Sequence, residues 1–333
     1  MRRLAIAVVA LAAALGAGYM LLEAALTKPG ESAGHDFFEV RRGEPARSIA
    51  RRLEAGGMVE SALLFEAETR LWQNGKAIRA GEYRIPKEYS IRQVVGLLVS
   101  GKVWERPVTI REGLTIPQIA QLVELAGVAP ANEFITATAE LFEEMKKGGF
   151  PAPSLEGYLF PETYSFPKST TPKAVAKAMV DMFRRRAAIA LPQDITNDPL
   201  RLHQLVTLAS IIEKETGAGF ERPLISAVFH NRLKIRMPLQ SDPTVIYSLP
   251  DYDGNIRKKD LSYDSPYNTY RYPGLPPGPI ANPGMESLVA AWKPAEVNFL
   301  YFVSMNNGQH RFSRTLEEHT RAVMNFQVNQ GRK

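Results

Sequence analysis

The stretch that decides the fold is residues 198–217, DPLRLHQLVTLASIIEKETG. Asp198 followed by Pro199 is typical of a helix start, with an acidic N-cap before a first-turn proline, and Gly217 is typical of a helix end. Between these ends, apolar side chains cover well over half of the circumference at about 100° per residue. We therefore expect a helix that is buried on most sides and forms the centre of its domain.

Two carboxyl groups, Glu213 and Glu215, lie in the last turn of this predicted helix. The negative end of the helix dipole and apolar surroundings both disfavour a carboxylate, so its pKa should rise towards the range of a general acid. The residues one turn before Glu215 are Ile211 and Ile212, which makes its surroundings the more apolar of the two. Glu215 is therefore the stronger candidate for acid–base chemistry.

Two other interpretations of this segment stay open. Both glutamates could be exposed and paired with Arg222 or Lys214, since glutamates are rarely buried. Ser210 and Lys214 lie one helical turn apart, which also leaves a hydrolase with a serine or lysine nucleophile possible.

Composition narrows the chemistry further. The chain of 333 residues has no cysteine, which excludes disulfides, thiolate metal sites and cysteine nucleophiles. Its five histidines show no metal-ligand spacing, and no phosphate-binding glycine loop is present, so we expect no metal and no other cofactor. The net charge of +6 is spread along the chain. It suits an anionic surface or acidic polymer without requiring nucleic acid.

The N-terminus predicts a membrane anchor. Residues 4–22 carry no charge and follow Arg2 and Arg3, a run long enough to span a hydrocarbon core of about 30 Å. The positive flank keeps the start of the chain in the cytoplasm and exports the remainder. A cleaved signal peptide is the alternative, although its apolar region is usually shorter. Residues 27–35 are expected to form a tether.

A repeat occupies the first part of the exported chain. Residues 40–43, VRRG, correspond to residues 110–113, IREG, at an offset of 70 positions, and an amphipathic segment follows each. Each copy predicts a short strand, a glycine turn and a helix, and residues 81–98 form a related unit. Such units could bind a ligand or serve only as a scaffold.

Aromatic and amide side chains are concentrated in residues 237–284, which include six of the twelve tyrosines. Flat aromatic faces beside amide and hydroxyl groups suit a sugar, although any single tyrosine could be a core residue. Residues 266–284 are rich in proline and glycine, a composition that indicates a stiff functional loop.

Four motifs together resemble the YceG-like family of endolytic murein transglycosylases. They are residues 208–216 (LASIIEKET), 239–247 (LQSDPTVIY), 267–270 (YNTY) and 274–280 (GLPPGPI). The resemblance extends over nearly the whole chain and includes the N-terminal span and the strand-and-helix modules.

The resemblance implies a reaction and a set of site residues. The reaction is non-hydrolytic cleavage between N-acetylmuramic acid and N-acetylglucosamine, which leaves a 1,6-anhydro end, and Glu215 is the implied catalytic acid and base. We expect five further residues to bind the substrate: Glu213, Gln240, Asp242, Asn268 and Tyr270. The alternative is a non-catalytic, membrane-anchored scaffold that binds peptidoglycan.

The expected fold is α+β, with five segments along the chain. They are an anchor (1–26), a tether (27–35), a LysM-like module (36–105), a second module or connector (106–150) and a catalytic domain (151–333). The expected location is the bacterial inner membrane, with the catalytic part in the periplasm. Expected partners are peptidoglycan glycan strands, cell-wall synthases and the membrane.

Overall fold

The computed structural model describes residues 2–30, 34–71 and 77–328. These residues form two compact units: an N-terminal unit up to Arg106 that also takes in Pro167–Ser169, and a C-terminal unit of Pro107–Phe166 and the chain from Thr170 onwards. Helices and short strands are mixed in both units, so the expected α+β class is confirmed. Part of the predicted tether, residues 31–33, lies outside the described residues.

The chain begins with helix α1, Arg2–Thr27. Among the described residues it is the one helix long and apolar enough to cross a membrane, and its most apolar stretch buries none of its surface within the protein. At its C-terminal end Leu26 is buried, and the carboxylate of Glu23 accepts hydrogen bonds of 2.7 and 3.0 Å from Arg92. An apolar helix that is exposed along most of its length fits a single-pass anchor.

The rest of the N-terminal unit is a small strand-and-helix module. Its elements are β1 (His35–Val40), α2 (Ala46–Ala55), α3 (Ala62–Leu71), β2 (Gly81–Pro86) and α4 (Ile91–Ser100). β1 and β2 pair antiparallel, with Phe38 opposite Tyr83, and the helices bury Leu53 and Leu98 against them. A capping box between Ser90 and Gln93 begins α4.

The C-terminal unit is mostly helical and carries the remaining strands. Its elements are β3 (Glu105–Thr109), α5 (Ile116–Leu125), α6 (Ala131–Lys147), β4 (Thr163–Pro167), α7 (Pro172–Ala190), α8 (Gln193–Thr196), α9 (Pro199–Glu215), α10 (Arg222–Lys234), α11 (Asp242–Ser248), α12 (Met285–Trp292), β5 (Tyr301–Ser304), β6 (His310–Ser313) and α13 (Leu316–Val323). β3 pairs with β4, and β5 and β6 form an antiparallel hairpin. The first two residues of β3, Glu105 and Arg106, and the last residue of β4, Pro167, belong to the N-terminal unit.

Helix α9 is the predicted central helix. The side chain of Asp198 caps its N-terminus by accepting hydrogen bonds from the backbone N–H groups of Leu200 and Arg201, at 3.0 and 3.1 Å. Nine of its residues are buried, and it packs against α8, α10, α11 and α12. Because so much of its surface is covered, α9 places its C-terminal residue at a defined position in the unit.

Hydrogen bonds hold the second part of the proline-rich loop, residues 273–284, against α9 and neighbouring segments. The Ser210 hydroxyl accepts a hydrogen bond of 3.0 Å from the backbone N–H of Ile280, and His203 Nε2 lies 2.9 Å from the carbonyl oxygen of Pro277. The Asn282 amide donates to the carbonyl oxygen of Leu114 at 2.9 Å and accepts from the backbone N–H of Leu159 at 2.8 Å. These bonds hold the loop along α9 and against the segments of Leu114 and Leu159.

Two further hydrogen bonds of α9 side chains argue against the serine or lysine nucleophile. Ser210 is fully buried and donates its hydroxyl proton to the carbonyl oxygen of Thr207 at 2.7 Å. The Lys214 ammonium donates instead to the carbonyl oxygen of Gly113, at 3.2 Å. Because Ser210 and Lys214 donate their hydrogen bonds to different backbone carbonyl groups, they do not form a nucleophile and its base.

Candidate active site

Glu215 is the last residue of α9, and its carboxyl group is partly buried. Its Oε1 accepts a hydrogen bond of 2.5 Å from the hydroxyl of Ser241. Thr216, the next residue, is extended and ends the helix. The carboxyl group therefore lies where α9 meets the segment that leads into α11.

The surroundings of Glu215 raise its pKa to about 7. Burial is the largest cause because it penalises the charged form, and the hydrogen bond from Ser241 opposes it. The negative charge of Asp242 raises the pKa further, whereas the positive charge of Arg232 lowers it. Such a group is present in both protonation states near neutral pH, which is what a residue that both gives and takes a proton requires.

Asp242 is the first residue of α11 and is half-buried. Its Oδ1 accepts a hydrogen bond of 2.5 Å from the Tyr270 hydroxyl. Burial and this bond raise the pKa of Tyr270, so the tyrosine keeps its proton and remains the donor. Tyr270 thereby holds a second acidic group beside Glu215.

Gln240 lies directly before this pair and has an exposed side chain. Its φ of 50° is in the left-handed region, which is uncommon for residues other than glycine. Its backbone N–H donates to the carbonyl oxygen of Thr269 at 3.2 Å, and the N–H of Ser241 donates to the Thr269 hydroxyl at 3.0 Å. The turn is therefore held by the YNTY motif, and the amide of Gln240 is left facing solvent.

Asn268 is fully buried, and its side-chain amide forms hydrogen bonds within its own loop. Nδ2 donates to the carbonyl oxygens of Leu261 and Tyr263, at 3.0 and 2.7 Å, and Oδ1 accepts from the N–H of Tyr270 at 2.9 Å. Asn268 thus shapes the loop that positions Tyr270.

Glu213 is directed towards a different set of partners from Glu215. Because Glu213 and Glu215 are two positions apart on a helix, their side chains point about 200° apart around the helix axis. The Glu213 carboxylate accepts a bond of 3.2 Å from Arg222 and one of 2.9 Å from the backbone N–H of Gly284. The sequence left open that Glu213 is exposed and paired with Arg222: the pairing is present, but the Glu213 side chain is buried, so the exposed half of that alternative is wrong.

The six tyrosines of residues 237–284 divide into two groups. Tyr247 and Tyr267 pack against the hydrophobic core, with ring centroids 5.0 Å apart. Three others, Tyr252, Tyr263 and Tyr272, are exposed, and Tyr270 is half-buried. The core interpretation holds for the first pair, while the other four offer ring surface to a ligand.

Sequence reasoning missed two residues of this site, Ser241 and Arg232. Arg232 is buried in α10 and donates to the carbonyl oxygens of Leu300 at 2.7 Å and Leu239 at 2.8 Å. Burial lowers the pKa of its guanidinium. Adjacency to Asp242 was the available signal for Ser241. Arg232 lies beside other polar residues of α10, His230, Asn231 and Lys234, so no feature of the sequence singled it out.

The described residues contain no group of three or more His, Asp or Glu side chains arranged to hold a metal ion. What the geometry brings together is one titratable carboxyl group, a hydroxyl donor, a second acid held by a tyrosine, and a buried cation. These features are those expected of a general acid–base site, and they lie at the end of a buried helix in an α+β protein with an apolar N-terminal helix.

The chain belongs to the YceG-like family, whose sequence pattern matches residues 38–325. A protein of Bacillus subtilis named endolytic murein transglycosylase is 34% identical over 295 residues, which is 84% of this chain and 81% of that protein. A protein of the same name from Streptococcus pneumoniae is 31% identical, over 85% of this chain and 57% of its own length.

A solved structure gives the same assignment at the level of the fold. The crystal structure of a YceG-like protein from Listeria monocytogenes is 32% identical in sequence, with a TM-score of 0.60. The match covers 87% of this chain and 100% of that chain.

Proposed function

We propose that this protein is an endolytic murein transglycosylase that cuts peptidoglycan strands between N-acetylmuramic acid and N-acetylglucosamine. The observation that carries the proposal is Glu215, a partly buried carboxyl group with a pKa raised to about 7 beside Ser241 and Asp242. The names of the relatives support the same substrate.

In the first step, protonated Glu215 donates its proton to the glycosidic oxygen, and the bond to C1 of the muramic residue breaks. The N-acetylglucosamine leaves with a free hydroxyl, and positive charge develops at C1 and the ring oxygen. Asp242, held by the Tyr270 hydroxyl, supplies negative charge next to Glu215 and stabilises that charge.

In the second step, the Glu215 carboxylate removes the proton from the C6 hydroxyl of the same muramic residue. The C6 oxygen attacks C1, a C1–O6 bond forms, and Glu215 is protonated again for the next cycle. Ser241 and Arg232 stabilise the carboxylate between the steps. Because the sugar provides its own nucleophile, one carboxyl group serves as acid and base and no water is consumed.

Of the other residues, Gln240 and Tyr270 are proposed to contact the sugar directly because their side chains reach the surface of the site. Glu213 and Asn268 are proposed to affect substrate binding indirectly, through the loops that they hold in place. Glu213 holds Gly284 of the proline-rich loop, and Asn268 holds the loop of Tyr270.

The cellular setting follows from the same proposal. α1 anchors the protein in the bacterial inner membrane, with the remainder in the periplasm, where it ends nascent strands beside the cell-wall synthases. Residues 36–105 act as a LysM-like module, residues 106–150 as a second module or connector, and residues 151–333 as the catalytic domain. The exposed apolar surface of α1 supports the anchor.

Digestion of purified murein in water labelled with oxygen-18 tests the proposal. A transglycosylase releases fragments with 1,6-anhydro ends and no label, because water does not enter the product. A hydrolase would release reducing ends that carry oxygen-18, and a non-catalytic scaffold would bind the strands and release nothing. Mass spectrometry of the fragments separates these outcomes, and either of the last two would overturn the proposal.

A further inference from the structure

An open groove of about 690 Å³ lies between the C-terminal hairpin, β5–β6, and α13. Its lining includes three arginines and three phenylalanines: Arg311, Arg314, Arg321, Phe299, Phe312 and Phe326. None of the residues that bind Glu215 or shift its pKa line this groove. It is therefore a concave surface separate from the acid–base site.

The three guanidinium groups are largely available to a ligand. Within residues 2–30, 34–71 and 77–328, the side chain of Arg311 has neither a hydrogen-bond nor an ion-pair partner. The Arg314 guanidinium lies over the Phe299 ring, 6.0 Å from its centroid, and forms no ion pair with a carboxylate of the described residues. Arg321 pairs with Glu317 at 3.3 Å, but both side chains are largely exposed. Such exposed pairs are weak.

Among the residues that the structure describes, one carboxylate lines the groove, that of Glu318, and it already accepts a hydrogen bond. Its Oε2 accepts a hydrogen bond of 2.8 Å from the backbone N–H of Arg314, at the start of α13. That bond is the main reason why the pKa of Glu318 is lowered, with the charges of Arg314 and Arg321 contributing. The groove is therefore positive overall and has aromatic walls.

Arginine is well matched to carboxylates because its planar guanidinium group can donate two parallel hydrogen bonds to the two carboxylate oxygens. Peptidoglycan presents carboxylates along its length, on the short peptide stems of the muramic residues. We propose that this groove binds the carboxylates of a peptide stem while the glycan lies at Glu215. The inference rests on the proposed function and adds a part of the substrate to it.

The position of the groove in the C-terminal unit suits this occupant. Arg232, whose charge lowers the pKa of Glu215, donates to the carbonyl oxygen of Leu300, and Leu300 follows Phe299 of the groove wall. An extended stem of four or five residues reaches about 15 Å from its sugar, at roughly 3.3–3.6 Å per residue. One wall of the groove is thus joined through Leu300 to Arg232, a residue that acts on Glu215, and the proposal has the stem extend from the acid–base site into the groove.

The experiment compares glycan strands that carry stems with the same strands after an amidase has removed them. Binding is measured with the full-length Glu215→Gln protein in detergent, so that nothing is cleaved. In this background, Arg311→Gln/Arg314→Gln should weaken binding to the stem-bearing strands about tenfold and leave binding to the bare strands unchanged.

The matched control is Arg184→Gln/Arg185→Gln, which removes two charges from exposed positions on α7. It should bind both strands as the parent does, and melting curves check that all variants are folded. Equal weakening on both strands would overturn the proposal in favour of a general charge effect. Lost binding to phosphatidylglycerol vesicles, with murein binding unchanged, would overturn it in favour of a lipid surface. The proposed function fails separately, if the parent releases no anhydro ends.

Discussion

The Ser241 hydroxyl donates a hydrogen bond of 2.5 Å to Oε1 of Glu215, across 26 positions of sequence. The bond favours the carboxylate, whereas burial and Asp242 favour the acid, and the balance raises the pKa to about 7. Glu215 can therefore exist in both protonation states near neutral pH, which the proposed mechanism requires.

Replacing Glu215 with Gln should abolish nearly all anhydro product. The shape is kept but the transferable proton is lost, and general acid–base catalysis is worth about 10²- to 10⁴-fold in rate. Release of anhydromuropeptides from purified murein measures the effect. A folded Glu215→Gln protein that cleaves at near the parent rate would remove Glu215 from the mechanism.

Glu213→Gln should affect stability more than chemistry. The carboxylate pairs with Arg222 and accepts the N–H of Gly284, so its loss should lower the free energy of unfolding by about 1–3 kcal/mol. Denaturant unfolding and the murein assay are run together with the parent. An inactive but fully stable Glu213→Gln protein would transfer the catalytic assignment to Glu213.

The pH dependence of kcat/KM should respond in opposite directions to two neighbouring substitutions. The free enzyme needs protonated Glu215, so activity should fall above a pH of about 7. Ser241→Ala removes a bond that lowers this pKa and should move the fall to higher pH. Asp242→Asn removes a charge that raises the pKa and should move it to lower pH. Shifts in the same direction would show that another group limits activity.

The raised pKa of Glu215 should also make the stability of the folded protein depend on pH. Its ordinary pKa is 4.5 and the folded value is about 7. Between these values the folded protein retains a proton that the unfolded chain has lost, so the contribution of Glu215 to stability falls as the pH rises and is constant above 7. The Tm of Glu215→Gln relative to the parent should therefore increase between pH 4.5 and 7. A constant difference would mean that the pKa is not raised.

Truncation should separate the two units. A chain beginning at Pro107 loses the first two residues of β3 but keeps the whole C-terminal unit, so it should cleave murein. It should bind intact sacculi more weakly because the N-terminal module adds valency. A chain beginning at Pro151 also loses Leu114, the partner of Asn282, and should melt at a lower temperature. Equal sacculus binding by the Pro107 chain and the parent would reduce the module to a spacer.

Local pattern in the sequence determined several features of this protein. The N-cap of Asp198 and the apolar run after it predicted α9, and with it the position of Glu215 in the last turn. The uncharged run predicted α1, and the repeat predicted the strands and helices around positions 40–53 and 110–123. These features depend on residues a few positions apart, so propensity and periodicity are enough to reveal them.

Only the tertiary structure decided which partners these elements take. The two copies of the repeat look alike in sequence, yet β1 pairs with β2 whereas β3 pairs with β4. Glu213 and Glu215 are two residues apart, yet one meets Arg222 and the other Ser241. Such pairings are formed by segments that loops bring together over tens of residues, and no local period records the packing that makes one pairing more stable than another.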